Sequence, residues 1–187
     1  HMGHYTGLLH LGTEAYAATG LPVFASSSMA DFLATNRPWS RMVEMGQITL
    51  FPLSPGRPHT LTKNPETKKA DLMITPIPVP HRAEFTDTVG YIIRGPSRSL
   101  LYIPDIDKWD QGHPIEDMIA DVDIALLDGT FYGEGEIPGR SMADIPHPFI
   151  SETVSRLASL PRAERAKLVF IHLNHTNPVA DPSSPAA

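Results

Sequence analysis

Nine histidines and no cysteine run through this 187-residue chain, and several of the histidines and aspartates share one kind of position. His81 follows the apolar stretch at residues 72–80. Asp105 follows Leu100-Leu101-Tyr102-Ile103-Pro104, and Asp128 follows Ile124-Ala125-Leu126-Leu127. His172 and His175 close Leu168-Val169-Phe170-Ile171. Each polar group stands where an apolar run has just ended. Strand ends are where a sheet delivers side chains into a common crevice, so these groups can converge. Histidine and carboxylate without thiolate is also the ligand set of catalytic zinc, manganese or iron sites that keep one position open. Two further histidines, His1 and His4, open the chain. Each group has a plainer explanation as well. A single histidine at a strand end is more often a surface residue, and Asp105 followed by Ile-Asp can cap a turn. Asp128-Gly129-Thr130 is a turn sequence in its own right. Spacing and composition leave both readings open.

The elements that must position these groups can be read from periodicity and punctuation. Leu8, Leu11 and Ala15 share a face at helical spacing, and Gly20 and Pro22 end that segment. Residues 21–25 read as a short buried strand, and Ser26 to Ser28 offer an N-cap for a helix over residues 29–33. A short helix over residues 40–45 stops at Gly46, and Ile48–Leu53 is a strand bounded by Pro55 and Gly56. Residues 59–70 carry little pattern beyond a turn at Lys63-Asn64-Pro65-Glu66. Residues 72–79 are extended, but Pro76, Pro78 and Pro80 place them at an edge or near a strand end. Residues 88–94 and Ser99–Ile103 form a hairpin around Gly95-Pro96-Ser97. A helix over Ile115–Ala120, a buried strand at 123–127, a Gly/Pro-rich loop at 129–146, an amphipathic helix at 149–160 and a last strand at 167–173 follow. Early hairpins and later strand–helix alternation predict one layered α/β domain with a mixed sheet over residues 1–187.

Composition excludes several classes. Lys and Arg number 15 against 21 Asp and Glu, a net charge of −6 that argues against nucleic acid as a partner. Without cysteine there are no disulfides, thiolate sites or cysteine nucleophiles. No apolar run approaches the roughly 20 residues that span a bilayer, so no membrane partner is expected. No charged-then-apolar leader is visible, and the expected compartment is the cytoplasm. A Gly-rich phosphate loop and a Gly-x-Ser-x-Gly elbow are both missing from the sequence.

The order His-x-x-His, Pro-His81, Pro-Asp105 and Ile-His172 resembles the metallo-β-lactamase superfamily. A closer similarity is to the coenzyme PQQ synthesis protein B group. It is carried by His4-Tyr5-Thr6-Gly7-Leu8-Leu9, by Leu126-Leu127-Asp128-Gly129-Thr130-Phe131, and by Ile171-His172-Leu173-Asn174-His175-Thr176-Asn177-Pro178. The resemblance covers nearly the whole chain. It implies a four-layer αββα sandwich with metal at one edge of the sheets, here without much of its N-terminal part and its extreme C-terminus. It further implies a metal motif cut through its middle, with an origin of His1-Met2 in an expression tag as the alternative. Carried over residue by residue, His1 and His81 hold a first metal, His4 and His172 a second, and Asp105 bridges them. Gly3 stands where the family has an aspartate, so the second site is expected to be weaker, absent or completed by another group, with His175 as the internal candidate. Asp128 and His147 resemble a carboxylate–histidine pair that supplies a proton to the leaving group in phosphodiesterase and tRNA-processing relatives. His10, His59 and His113 are expected to be bystanders.

The leading expectation is therefore a hydrolase using one or two zinc ions, with manganese or iron as alternatives, on a phosphodiester or ester. The alternative is a role like that of synthesis protein B, an iron-dependent oxidative step or the handling of a PQQ precursor. A binding protein that kept the fold without catalysis is the third expectation. The substrate would be a small molecule or peptide-derived, and a homodimer is compatible with all three.

Overall fold

The computed structural model describes residues 2–63, 70–110, 114–139, 141–142 and 145–186. Two sheets organise it. In the smaller one β1 (Leu21–Ser26) and β2 (Ile48–Leu53) run parallel, with Leu21 opposite Ile48 and Ser26 opposite Leu53. Between them lie α2 (Ser27–Thr35) and α3 (Trp39–Glu44), which pack on each other and on β2. The expected N-cap is present, since Ser26 Oγ accepts from Met29 N at 3.3 Å. The chain begins with a short helix, α1 (Met2–Tyr5), and a 3-10 turn at Thr6–Leu11. The helix expected through Leu8, Leu11 and Ala15 is thus replaced by tighter turns. Gly7 and Gly12 lie within that stretch, and glycine weakens a helix.

The larger sheet has six strands in sequential order: β3 (His59–Lys63), β4 (Ala70–Pro78), β5 (Val89–Arg94), β6 (Ser99–Ile103), β7 (Ile124–Asp128) and β8 (Leu168–Ile171). The first four pair antiparallel, and β6, β7 and β8 are parallel. The β5–β6 hairpin closes where expected, with Gly95 N donating to Arg98 O at 2.8 Å. Two expectations change. Residues 59–63 do form a strand, and so β4 has a neighbour on each side. Its prolines are accommodated because β3 pairs only with the first half of β4, up to Ile74, leaving Pro76 and Pro78 paired with β5 alone.

Alternation along β6 and β7 sorts the sheet faces. Leu101, Ile103, Ala125 and Leu127 are fully buried, and they pack with Ile115 and Ile119 of α4 (Ile115–Ala120) and with Leu157, just after α5 (Ile150–Arg156). A last single-turn helix, α6 (Arg162–Arg165), leads into β8. Helices thus pack on each of the two sheets, α2 and α3 on the smaller and α4 on the larger. Ile106 and Trp109 extend the same core, and Trp109 Nε1 donates to Thr153 Oγ1 on α5 at 2.9 Å. The loop leaving β6 is therefore pinned on both sides of Asp107. Among the described residues no helix is long and apolar enough to cross a membrane.

Gly90 lets β5 lie close to β6. A Cβ built there would stand 2.8 Å from Ile103 Cγ1 and 2.9 Å from Tyr102 O. Ile103 lies two residues before Asp105 and is fully buried, so neither neighbour can yield freely. Gly90→Ala is expected to lower stability by about 1–3 kcal/mol in urea unfolding, the usual cost of overpacking. An unchanged midpoint would show that the strands have slack at this point.

Candidate metal centre

Strand direction brings the polar groups to one edge. Both β4 and β6 run antiparallel to β5, so they point the same way, and β7 and β8 run parallel to β6. His81, Asp105, Asp128 and His172 leave the ends of these four strands and must emerge together. The turns are tied to one another, since Asp107 N donates to Pro80 O at 2.7 Å. His4 arrives from α1, anchored by buried Tyr5, whose ring centroid lies 5.2 Å from those of Phe32 and Trp39.

Asp105 is the centre of the site and is buried. Its Oδ2 lies 2.6 Å from His4 Nε2, while Oδ1 faces His81 Nε2 at 3.6 Å, His172 Nδ1 at 3.6 Å and His147 Nδ1 at 3.8 Å. Burial pushes the Asp105 carboxyl up. The hydrogen bond from His4 and the charges of His172, His4 and His81 outweigh burial, and hold it below the ordinary carboxylate range. Two ligand groups share this one carboxylate: His4, Asp105 and His172, and His81, Asp105 and His147, the ligand atoms of each lying within 4.8 Å of one another. The His4 and His172 rings are stacked, with Nε2 atoms 3.2 Å apart. Two imidazole nitrogens on one tetrahedral zinc stand roughly 3.3–3.4 Å apart, from bonds of about 2.0–2.1 Å. The donor set and its spacing fit a divalent metal ion.

Behind the imidazoles stand further partners. His81 Nδ1 donates to Asp107 Oδ1 at 2.8 Å, which turns Nε2 towards Asp105. His147 Nδ1 donates to Asp128 Oδ2 at 2.8 Å, so the expected carboxylate–histidine pair is formed. Asp128 is fully buried, and it also accepts from Ile106 N at 3.0 Å, Thr130 N at 2.9 Å and Thr130 Oγ1 at 2.7 Å. Carboxylates placed this way behind metal-binding histidines set the tautomer and orientation of the ring. Asn177, also buried, donates to Gly129 O at 2.7 Å and ties the last motif to the end of β7.

The structure therefore brings together His4, His81, Asp105, His172, Asp128 and His147. His1 and His113 lie outside the described residues. His147, expected only as a proton donor, also stands at ligand distance in the second group. His175 is a correction: it is exposed and belongs to neither group. A spacing of three puts two side chains on one face only in a helix, and residues 172–176 are a bend and a turn. His10 is exposed, and His59 accepts from Ser54 N at 2.9 Å on β3, away from the centre. Asp107, Thr130 and Asn177 were not anticipated. For Asp107 a signal existed, because residues two apart in extended chain face the same side and Asp105-Ile-Asp107 has that spacing.

Two hollows flank Asp105. One is lined by Ala25, Met29, Val89, Tyr91, Tyr102 and Pro104, the other by Arg82, Phe131, Ile137, Ile145 and Pro146. Burial first, then the charges of Asp87 and Tyr102, push the Tyr91 phenol up, so it presents an O–H to the first hollow. Asp107→Ala removes the His81 partner from a half-buried position. Affinity for a divalent metal is expected to fall about 10–100-fold with folding retained, as read by chelator competition and circular dichroism. Affinity equal to the parent chain would remove Asp107 from the site.

Residues 1–173 match the family described as the beta-lactamase superfamily domain. Coenzyme PQQ synthesis protein B of Cupriavidus necator is 30% identical over 199 residues, covering 97% of this chain and 63% of that protein. The protein of the same description from Methylobacterium radiotolerans is 30% identical over 197 residues, with 97% and 62% covered. Among solved structures, Zn(2+)-bound PqqB from Methylobacterium extorquens superimposes with a TM-score of 0.71 at 20% identity, over 97% of this chain and 62% of that one. YhfI from Bacillus subtilis, a metallo-beta-lactamase fold protein, gives 0.53 at 18% identity, over 90% and 58%. The chain thus spans a little over three fifths of the length of the curated relatives it matches. It belongs to the metallo-β-lactamase superfamily and lies close to coenzyme PQQ synthesis protein B.

Proposed function

We propose that this chain carries the metal centre of a protein acting in the manner of coenzyme PQQ synthesis protein B, on a peptide-derived precursor of that cofactor. The observation that carries the reading is the likeness to that protein over 97% of this chain, in a span that contains both ligand groups around Asp105. His4, Asp105 and His172 would hold one divalent ion, and His81, Asp105 and His147 form the second group. Zinc, found in the solved relative, and iron are the two candidates. When bound, such an ion supplies Lewis acidity and, if it is iron, one-electron chemistry with oxygen.

The chain's own residues divide the remaining work. Asp107 and Asp128 hold the His81 and His147 rings in place from behind. The hollow at Tyr91 and Tyr102 is mostly apolar and suits the ring system of such a precursor, with the phenols as hydrogen-bond donors. Arg82 and His147 line the opposite hollow, where a carboxylate of the substrate would be received.

A second reading is hydrolysis of an ester or phosphodiester, favoured by the 2.8 Å contact between His147 and Asp128. A carboxylate-held imidazole is suited to deliver a proton to a leaving oxygen. Metal analysis of the full-length protein purified without oxygen separates the two. Iron together with oxygen uptake on adding the precursor is the expected result. Zinc or manganese together with turnover of an ester or phosphodiester, and no reaction with the precursor, would overturn the first reading in favour of the second. His81→Ala is expected to bring either activity to background, and unchanged turnover would remove the centre from both.

A further inference from the structure

We infer that Thr130 is a positioning residue that fixes the tautomer of His172, so that the ring's lone pair falls on Nε2, the atom facing His4. The inference rests on the metal reading above only for its purpose, since the hydrogen bonds themselves are made between side chains of this chain. A threonine hydroxyl has one proton to give. Asp128 Oδ1 takes it at 2.7 Å, and this carboxylate also faces the backbone N–H groups of Thr130 and Ile106, which can only donate. Towards His172 Nδ1, 2.9 Å away, the hydroxyl oxygen is therefore an acceptor. The imidazole must carry its proton on Nδ1 to complete that bond. Asp105 Oδ1, 3.6 Å from the same nitrogen, is too far to accept a hydrogen bond, but its negative charge favours a proton there. The lone pair is left on Nε2, the atom that stands 3.2 Å from His4 Nε2.

The surrounding backbone is shaped to keep this contact. His172 has φ of 63°, a left-handed conformation that is strained for a non-glycine residue and clusters at functional sites. Gly129 passes so close to β8 that a Cβ would meet Phe170 Cβ at 2.8 Å and Ile171 O at 3.0 Å. The Thr130 carbonyl accepts from Asn174 N at 3.0 Å and Asn177 Nδ2 at 3.3 Å. One buried carboxylate thus orients a histidine of each ligand group: His147 directly, and His172 through the hydroxyl of Thr130.

Thr130→Val keeps the shape and removes the hydroxyl, and Thr130→Ser restores it. Ring-nitrogen NMR of the metal-free chain at about pH 8, where an ordinary imidazole is neutral, reads the tautomer of His172 directly. The Nδ1–H form is expected in the parent chain and in Thr130→Ser, and loss of that preference in Thr130→Val. Zinc affinity by chelator competition is expected to fall about 10–100-fold in Thr130→Val and to stay near the parent value in Thr130→Ser. An Nε2–H tautomer in the parent chain overturns the inference without need of any variant that might fail to fold. So does parental zinc affinity in Thr130→Val, or an equal loss in Thr130→Ser. A parent chain that shows the Nδ1–H form and takes up no zinc, manganese or iron upholds the positioning role and overturns the metal reading.

Discussion

A buried carboxylate among four imidazoles is the constraint on which the site depends. Asp105 is taken out of water at the end of β6, and an isolated ion in that position would cost several kcal/mol. The hydrogen bond from His4 and the fields of His172 and His81 more than offset this, which is why the group stays acidic despite burial. That balance holds only if the carboxylate stays in place. Fully buried Ile106 and nearly buried Trp109, with the Trp109–Thr153 hydrogen bond, fasten the loop that carries it to the same core that holds β6 and β7 together.

Behind that centre the structure uses carboxylates as orienting groups. Asp107 holds His81, and Asp128 holds His147 and reaches Thr130, each at ordinary hydrogen-bond distance. The consequence is entropic as well as electrostatic. Rings already held in the right tautomer lose little freedom when a ligand binds, which is the advantage of a preorganised site. Asp105 lines both hollows, so a ligand in either one would meet the same buried carboxylate.

Much of this was legible in the chain. Apolar runs of four to nine residues marked β1, β2 and β4 to β8, because period-two burial and Gly/Pro punctuation are local properties. The strand-end placement of His81, Asp105, Asp128 and His172 was equally visible. Residues 59–63 were missed as a strand, since all of that strand's pairing comes from β4 and leaves no periodicity in so short a segment. The opening helix was overextended for the converse reason: Leu8, Leu11 and Ala15 share a helical spacing that Gly7 and Gly12 work against. His175 shows how spacing misleads when the backbone is not helical, as the left-handed turn at His172 carries it away from the centre.

By itself the sequence determined which chemistry was available. Histidines and aspartates without cysteine, each at the end of an apolar run, limit the site to nitrogen and oxygen ligands at a sheet edge. Tertiary structure decided which of them meet. The common direction of β4, β6, β7 and β8 selects one edge, and the close approach at Gly129 puts Thr130 against His172. Asp107 and Thr130 acquire their roles only there, because a hydrogen bond across 26 or 42 residues depends on where the strands lie in space.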